Sequence, residues 1–293
     1  MRQESRSYTV FSVLNYIFLF LIALICLYPF YYVVIASFSN PDRLIVNQGL
    51  LLLPLEEYTL RGYQLVFNNR LILSGFCNTL IVLFAGLFFN LVLTSLGGYV
   101  LSLRDLMLRK PLSIIVIITM YFSGGMIPAY LNIRDLGLMD SLWALIIPGA
   151  ISTHNMLIMR SAFMAVPESL PEAAKIDGAT HLHILFRVMV PLVKATTAVM
   201  VLYYGVGHWN SWFGASLYLR TSSKYPLQLV LRNVLIENQV NDMMLDVGAD
   251  ESPQITQLVK YSMIVVSTVP IICIYPFLQR FFQKGVMLGA VKG

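Results

Sequence analysis

Six stretches of this chain run for 19 residues or more without a charged side chain, and no other stretch reaches 18. They lie between Arg6 and Asp42, Arg70 and Arg104, Lys110 and Arg134, Asp140 and Arg160, Lys194 and Arg220, and Lys260 and Arg280. A helix of roughly 20 apolar residues crosses a bilayer. In lipid, backbone polar groups find partners only within the chain, so runs of this length are helical. The sequence therefore predicts an all-α integral membrane protein, a single transmembrane domain over residues 1–293. Its six spans fall at about 11–37, 73–101, 111–131, 141–160, 187–213 and 260–281. Composition agrees, with 57% hydrophobic and 12% charged residues against about 25% charged in a soluble domain. The first run is too long for a signal peptide and lacks a well-placed small-residue cleavage site, so it reads as a retained span.

Charge sets the orientation. With the N-terminus inside, the inner segments carry a net +7 and the outer ones −2, which places both termini in the cytoplasm. The basic balance is thus topology; no basic patch interleaved with aromatics points to nucleic acid. Cys26, Cys77 and Cys273 fall within apolar spans without CxxC partners and read as small buried hydrophobes. No HExxH, hydrolase-type GxSxG or carboxylate pair occurs inside a span, so no catalytic residues are expected. His181 and His183 are two apart and face different ways on a helix, which argues against a metal site. The tail "GVMLGAVKG" lacks the spacing of a phosphate loop.

Polar residues inside apolar runs carry the remaining signal, because they are costly at membrane depth. His154 and Asn155 follow Pro148 in the fourth run; His154 suits either a helix–helix hydrogen bond or a cavity wall. The fifth run carries "YYGVGHWNSWF". Trp209, Trp212 and Phe213 read as an interfacial aromatic belt. Tyr203, Tyr204 and Asn210 are candidates to face a sugar, with rings for its apolar faces and an amide for its hydroxyls. Gly97 and Gly98 suit either close helix approach or tolerated flexibility. Gly124, Gly125 and Pro128 predict a kink in the third run. The outer stretch "LIVNQGLLLLPL" is too short to span and lies on the membrane face or packs on helix ends.

Between the fourth and fifth runs stands "PEAAKIDGATHLHILFRVMVPL". Pro167 and Pro171 fix its entry, Glu172 suits the first turn of a helix, and Gly178 permits a sharp turn. The segment predicts a short helix over about 168–182, an elbow, and re-entry into the membrane. Ala173 and Ala174 are small enough to seat in a groove of another protein, with Glu172 pairing a basic residue there. The plainer reading is an amphipathic connecting loop.

This segment resembles the EAA signature of ABC importer permeases, with Val190 where Leu is common before Pro191. "CNTLIVLFAG", "MIPAYLNIRDLGLMDSLWALIIP", "HWNSWF" and "FFQKGVMLGAVKG" look like the carbohydrate branch, which contains the smaller maltose permease subunit and importers of oligosaccharides such as alginate. The resemblance implies a type I importer permease in the bacterial cytoplasmic (inner) membrane. It implies as partners a second homologous permease, two ATPase subunits and an extracytoplasmic solute-binding protein. It assigns coupling to Glu172, Ala173, Ala174, Asp177 and Gly178, and an ATPase contact to Lys292 in the tail. This chain would hold no cofactor; ATP and magnesium would bind the partner ATPase. The alternative, an ion-coupled secondary transporter, calls for inverted repeats and a mid-membrane ionisable residue. No Asp, Glu, Lys or Arg lies centrally in any run.

Overall fold

The computed structural model describes residues 6–47, 49–56, 58–236 and 253–290. Every regular element among them is helical. Three helices are long and apolar enough to cross a membrane: α1 (Arg6–Ser37), α4 (Arg70–Ser102) and the apolar part, Pro253–Ile274, of the last helix, Pro253–Ala290. They cover the expected spans at 11–37 and 73–101. The last helix, Pro253–Ala290, covers the span expected at 260–281. Between α1 and α4 lie α2 (Pro41–Val46) and α3 (Arg61–Asn68).

The structure breaks each of the other three runs; the sequence predicts the kink in the run at 111–131, whereas the other two read as continuous spans. The run at 111–131 becomes α5 (Arg109–Tyr121) and α6 (Met126–Asp135), bent by 109°. The break is "FSGG", where Gly125 takes a left-handed φ of 87°. The run at 141–160 becomes α7 (Trp143–Ile146) and α8 (Thr153–Met164). Pro148 has no N–H to continue α7, and Gly149 beside it is a poor helix former. The run at 187–213 becomes α10 (His181–Leu192) and α11 (Lys194–Trp209), bent by 90°. Before that bend the helix widens to π geometry over Ile184–Met189, and Pro191 removes a donor, two established causes of kinks. The expected helix at 168–182 is shorter: α9 spans Ser169–Ile176. Then follow α12 (Phe213–Tyr218) and α13 (Leu227–Ile236).

Contacts divide the chain into two compact units, one over Met1–Arg70 and Asn233–Thr268, the other over Leu71–Arg232 and Val269–Gly293. In the first, Ala36, Leu44 and Leu51 form a small core with Tyr32 and Tyr261 packed on it. The Leu51 N–H donates to the Tyr28 hydroxyl at 3.0 Å, and the Leu55 N–H to the Ser39 hydroxyl at 3.2 Å. The apolar stretch after Gly49 thus packs on the end of α1. None of the most apolar window of α1 is buried by this chain. A helix apolar all round and uncovered is built for lipid or for another membrane chain.

The second unit is cored by Tyr99, Phe163, Ile184, Leu185, Met189, Met200 and Tyr204, from α4, α8, α10 and α11. Gly98 lets α4 and α8 meet: a Cβ there would stand 3.1 Å from the Arg160 backbone nitrogen and 3.2 Å from Met159 Cβ. Close approach is therefore the role of this glycine. Cys26, Cys77 and Cys273 are unpaired and exposed, not buried as expected. The spans that carry them turn those faces away from this chain's core.

Candidate coupling helix and pathway

Helix α9 ends where its sequence says it must. Gly178 adopts φ 78°, its N–H donates to Lys175 O at 3.0 Å, and the Ala179 N–H donates to Ala174 O at 2.9 Å. This is a Schellman closure, with glycine at the one position that needs a left-handed backbone. Thr180 then caps α10, its hydroxyl accepting the His183 N–H at 3.3 Å. The elbow is therefore one stop and one start within three residues, Gly178 to Thr180.

Two adjacent residues after α4 lie near the two ends of α9. Arg104 pairs with Glu168, and Lys175 Nζ lies 4.0 Å from Asp105 Oδ2. The α4–α5 loop thus runs alongside α9, enclosing a cleft of about 200 Å³ whose lining includes Ser102, Pro171 and Glu172. No residue of α9 itself is buried. Ala174 packs against the core, whereas Glu172 and Ala173 are exposed. Ile176 is 87% and Leu170 43% exposed. Leu170, Ala173 and Ile176 recur every three residues, so α9 shows an apolar stripe to the outside. Asp177 closes the helix as its C-cap. Lys292 lies outside the described residues.

A buried polar ladder joins α4, α11 and the break between α7 and α8. Asn90, fully buried, donates from Nδ2 to Gly149 O at 2.6 Å and accepts from His208 Nε2 at 2.7 Å. One turn on, Thr94 and the Tyr204 hydroxyl meet at 2.6 Å, and that same hydroxyl accepts the Ser152 N–H at 3.0 Å. Ser152 in turn caps α8 through the Asn155 N–H. Side chains thus satisfy backbone groups that the broken helix has released, as a membrane interior requires.

The ladder sorts the candidate pathway residues. Tyr204 and Asn155 are buried within this chain, while His154, Tyr203 and Asn210 are exposed. The Tyr204 hydroxyl is engaged with Thr94 and Ser152. Trp209 is buried, edge-on to Phe76 at 6.0 Å, and so leaves the expected aromatic belt. Trp212 remains half-exposed, under the Arg232 guanidinium at 4.8 Å. Asn90, Thr94 and His208 escaped the sequence reading. Their signal was the spacing: Asn90 and Thr94, like Tyr204 and His208, stand four apart in charge-free runs.

At another point of this unit, Asp140 ties the entry of α7 to the segment after α12. Its carboxylate accepts the N–H groups of Arg220 and Thr221 at 3.0 Å and the Lys224 ammonium at 2.9 Å. The Lys224 charge, then the Thr221 and Arg220 N–H groups and the Thr221 hydroxyl, hold its carboxyl well below the usual carboxylate range. Among the described residues no group of three or more His, Cys, Asp or Glu side chains could hold a metal ion.

Apolar helices long enough to cross a bilayer, breaks re-satisfied by side chains, and a projecting elbow are the features of a polytopic membrane protein. Comparison with known proteins narrows that class. The chain is 41% identical over 285 residues to the polygalacturonan/rhamnogalacturonan transport system permease protein YtcP of Bacillus subtilis (strain 168), covering 97% of this chain and 99% of that protein. It is 26% identical over 300 residues to the arabinooligosaccharides transport system permease protein AraQ of the same strain, covering 100% of both. The structure matches a chain in the crystal structure of a bacterial ABC transporter involved in the import of the acidic polysaccharide alginate. That match has a TM-score of 0.87 and 32% identity, over 96% of this chain and 100% of that one. No protein-family model matches. The chain belongs to the permease proteins of ABC sugar-transport systems. The relatives are named as transport permeases, not enzymes, and the ion-coupled secondary transporter is not favoured.

Proposed function

We propose that this chain is one of two homologous membrane-spanning subunits that together line the pathway of an ATP-driven oligosaccharide importer. ATP and magnesium bind, and hydrolysis occurs, on two separate ATPase subunits. One of these grips α9 through Ala173 and Glu172, with Ala174, Asp177 and Gly178 shaping the elbow and Lys292 reaching the ATPase from the tail. A solute-binding protein delivers the sugar from the far side. The complex sits in the bacterial cytoplasmic membrane with both termini of this chain inside, as the Lys and Arg distribution favours. The residues 1–293 act as one permease domain.

The observation that carries this reading is α9 itself: an apolar stripe, exposed, closed at Gly178 by a Schellman turn and lying beside Arg104 and Asp105. A connecting loop needs none of these constraints. For the substrate, the names of two relatives favour fragments of uronate-containing polysaccharides: one names polygalacturonan, the other the acidic polysaccharide alginate. The nearly neutral outer loops leave most of that selectivity to the binding protein and the second permease. His154, Tyr203 and Asn210 are the exposed polar candidates for contact with the sugar.

The test is reconstitution. The chain, its partner permease, the ATPase and the binding protein, placed in liposomes, should take up labelled oligogalacturonides or alginate oligosaccharides only with ATP. Saturable uptake by this chain alone, without ATP, would overturn the reading.

A further inference from the structure

The break between α7 and α8 is bonded to the middle of α4, a helix long and apolar enough to cross a membrane. Asn90, Gly149 and His208 each lie within three residues of the centre of their charge-free runs. Backbone that leaves the helix at membrane depth is tolerated only against protein or beside water. Here the two sides differ. From behind, Gly149 O and the Ser152 N–H are held by Asn90 and Tyr204. In front, Pro148, Gly149 and Ile151 are exposed. The break at 122–125 is exposed as well. Beside it, Thr119 Oγ1 and Thr153 Oγ1 meet at 3.2 Å, so the two unwound stretches are neighbours.

We infer that residues 148–151 form a wall of the translocation pathway that meets sugar hydroxyls, and that Asn90 and Tyr204 are the positioning residues that hold it. This rests on the permease reading above. Pro148 has no N–H and the Ala150 N–H is spent on Ile147 O, so what this exposed backbone offers is chiefly carbonyl acceptors without a long side chain, which suits a ligand rich in hydroxyl donors that must bind weakly and move on. Water in the pathway would compete for the same backbone groups and let the stretch wander. Two buried side chains, approaching from the dry side, fix it instead of the helical bonds it has lost. The pair is chemically matched: an amide N–H for the carbonyl, a hydroxyl oxygen for the N–H.

The test uses the assembled transporter with Cys26, Cys77 and Cys273 replaced by alanine. In that background Ile151→Cys should react with a water-soluble maleimide, and saturating transported oligosaccharide should slow the reaction. Tyr204→Phe keeps the ring and removes the hydroxyl. It should shift the labelling rate and raise the KM for uptake by about threefold or more, the effect of one lost hydrogen bond, at unchanged kcat and chain level. Thr94→Val provides the contrast. It removes the same 2.6 Å bond between Thr94 and Tyr204 but leaves the bond to Ser152, so its effect should be smaller. Equal effects of the two variants would reduce Tyr204 to a packing residue and overturn the positioning role. Reaction of Ile151→Cys only with a lipid-soluble maleimide would overturn the wall. Labelling needs no uptake, so it decides the wall even if ATP-driven uptake is never seen and the permease reading itself fails.

Discussion

His208 and Asn90, 118 residues apart, meet through a 2.7 Å hydrogen bond in which the ring Nε2–H donates to the amide oxygen. The roles are fixed because Asn90 spends its N–H on Gly149 O, leaving only an acceptor for the ring. Gly86, one helical turn before Asn90, makes room for it.

That room is testable. A Cβ on Gly86 would stand 2.4 Å from His208 Nε2 and 2.7 Å from Cε1. Gly86→Ala should push the ring off Asn90 and leave a buried acceptor unpaired, at a cost of about 1–3 kcal/mol. Thermal unfolding of the purified transporter measures it. His208→Ala removes the obstruction, so the double variant should lose less than the sum of the two single losses, with a coupling of roughly 0.5–3 kcal/mol. Simple additivity would mean that the two residues do not meet.

The elbow makes a second prediction. Gly178→Ala keeps every contact of α9 but forces a Cβ into left-handed backbone, at about 1–2 kcal/mol. Nothing lies within 4 Å of a Cβ there, so the effect is conformational and not a clash. Gly178→Asn should cost less, because Asn tolerates this region. Sugar-stimulated ATP hydrolysis should fall in the order glycine, asparagine, alanine, with membrane insertion unchanged. Equal activity for all three would show that the Schellman closure plays no part in coupling.

Asp140 gives a pH dependence whose sign follows from its depressed carboxyl. A depressed carboxyl contributes stability above the ordinary aspartate value of 3.8; that contribution is lost only as pH falls through the lower range of the folded state. Asp140→Asn should therefore lower the melting temperature at neutral pH and still do so at pH 5, with the difference from wild type shrinking only in stronger acid. A difference that vanished already between pH 7 and pH 5 would assign the effect to another group.

The projecting helix was legible because its stops are local. Pro171, Gly178 and a cluster of charges act within a turn of themselves, so order in sequence is order in space. The breaks at Pro148 and Pro191 were visible as residues but read as continuous spans, since a charge-free run measures only compatibility with lipid. What keeps them broken is remote: Asn90 reaches Gly149 from 59 residues away and Tyr204 reaches Ser152 from 52. No local pattern predicts which polar group closes on which. For the same reason the partners of the Tyr204 hydroxyl, Thr94 and Ser152, are not legible from its place in "YYGVGHWNSWF".

The two alanines of α9 should part company under the same substitution. Ala174 packs against the core and Ala173 is exposed, although they are neighbours in a helix with no fully buried residue. Ala174→Trp should overpack the chain itself, costing about 1–3 kcal/mol of its own stability. Ala173→Trp should leave the melting temperature of the chain unchanged and instead block a partner's groove. If the docking contact loses a similar 1–3 kcal/mol, ATPase affinity falls by roughly 5- to 150-fold. Glu172→Ala should do less, since a solvent-exposed ion pair is typically worth about 0–1 kcal/mol. Co-purification of the ATPase subunit, measured beside thermal stability for the three variants, separates the effects. Retention of the ATPase at wild-type level by Ala173→Trp would return this segment to a connecting loop, because an exposed alanine with no partner has room for any side chain.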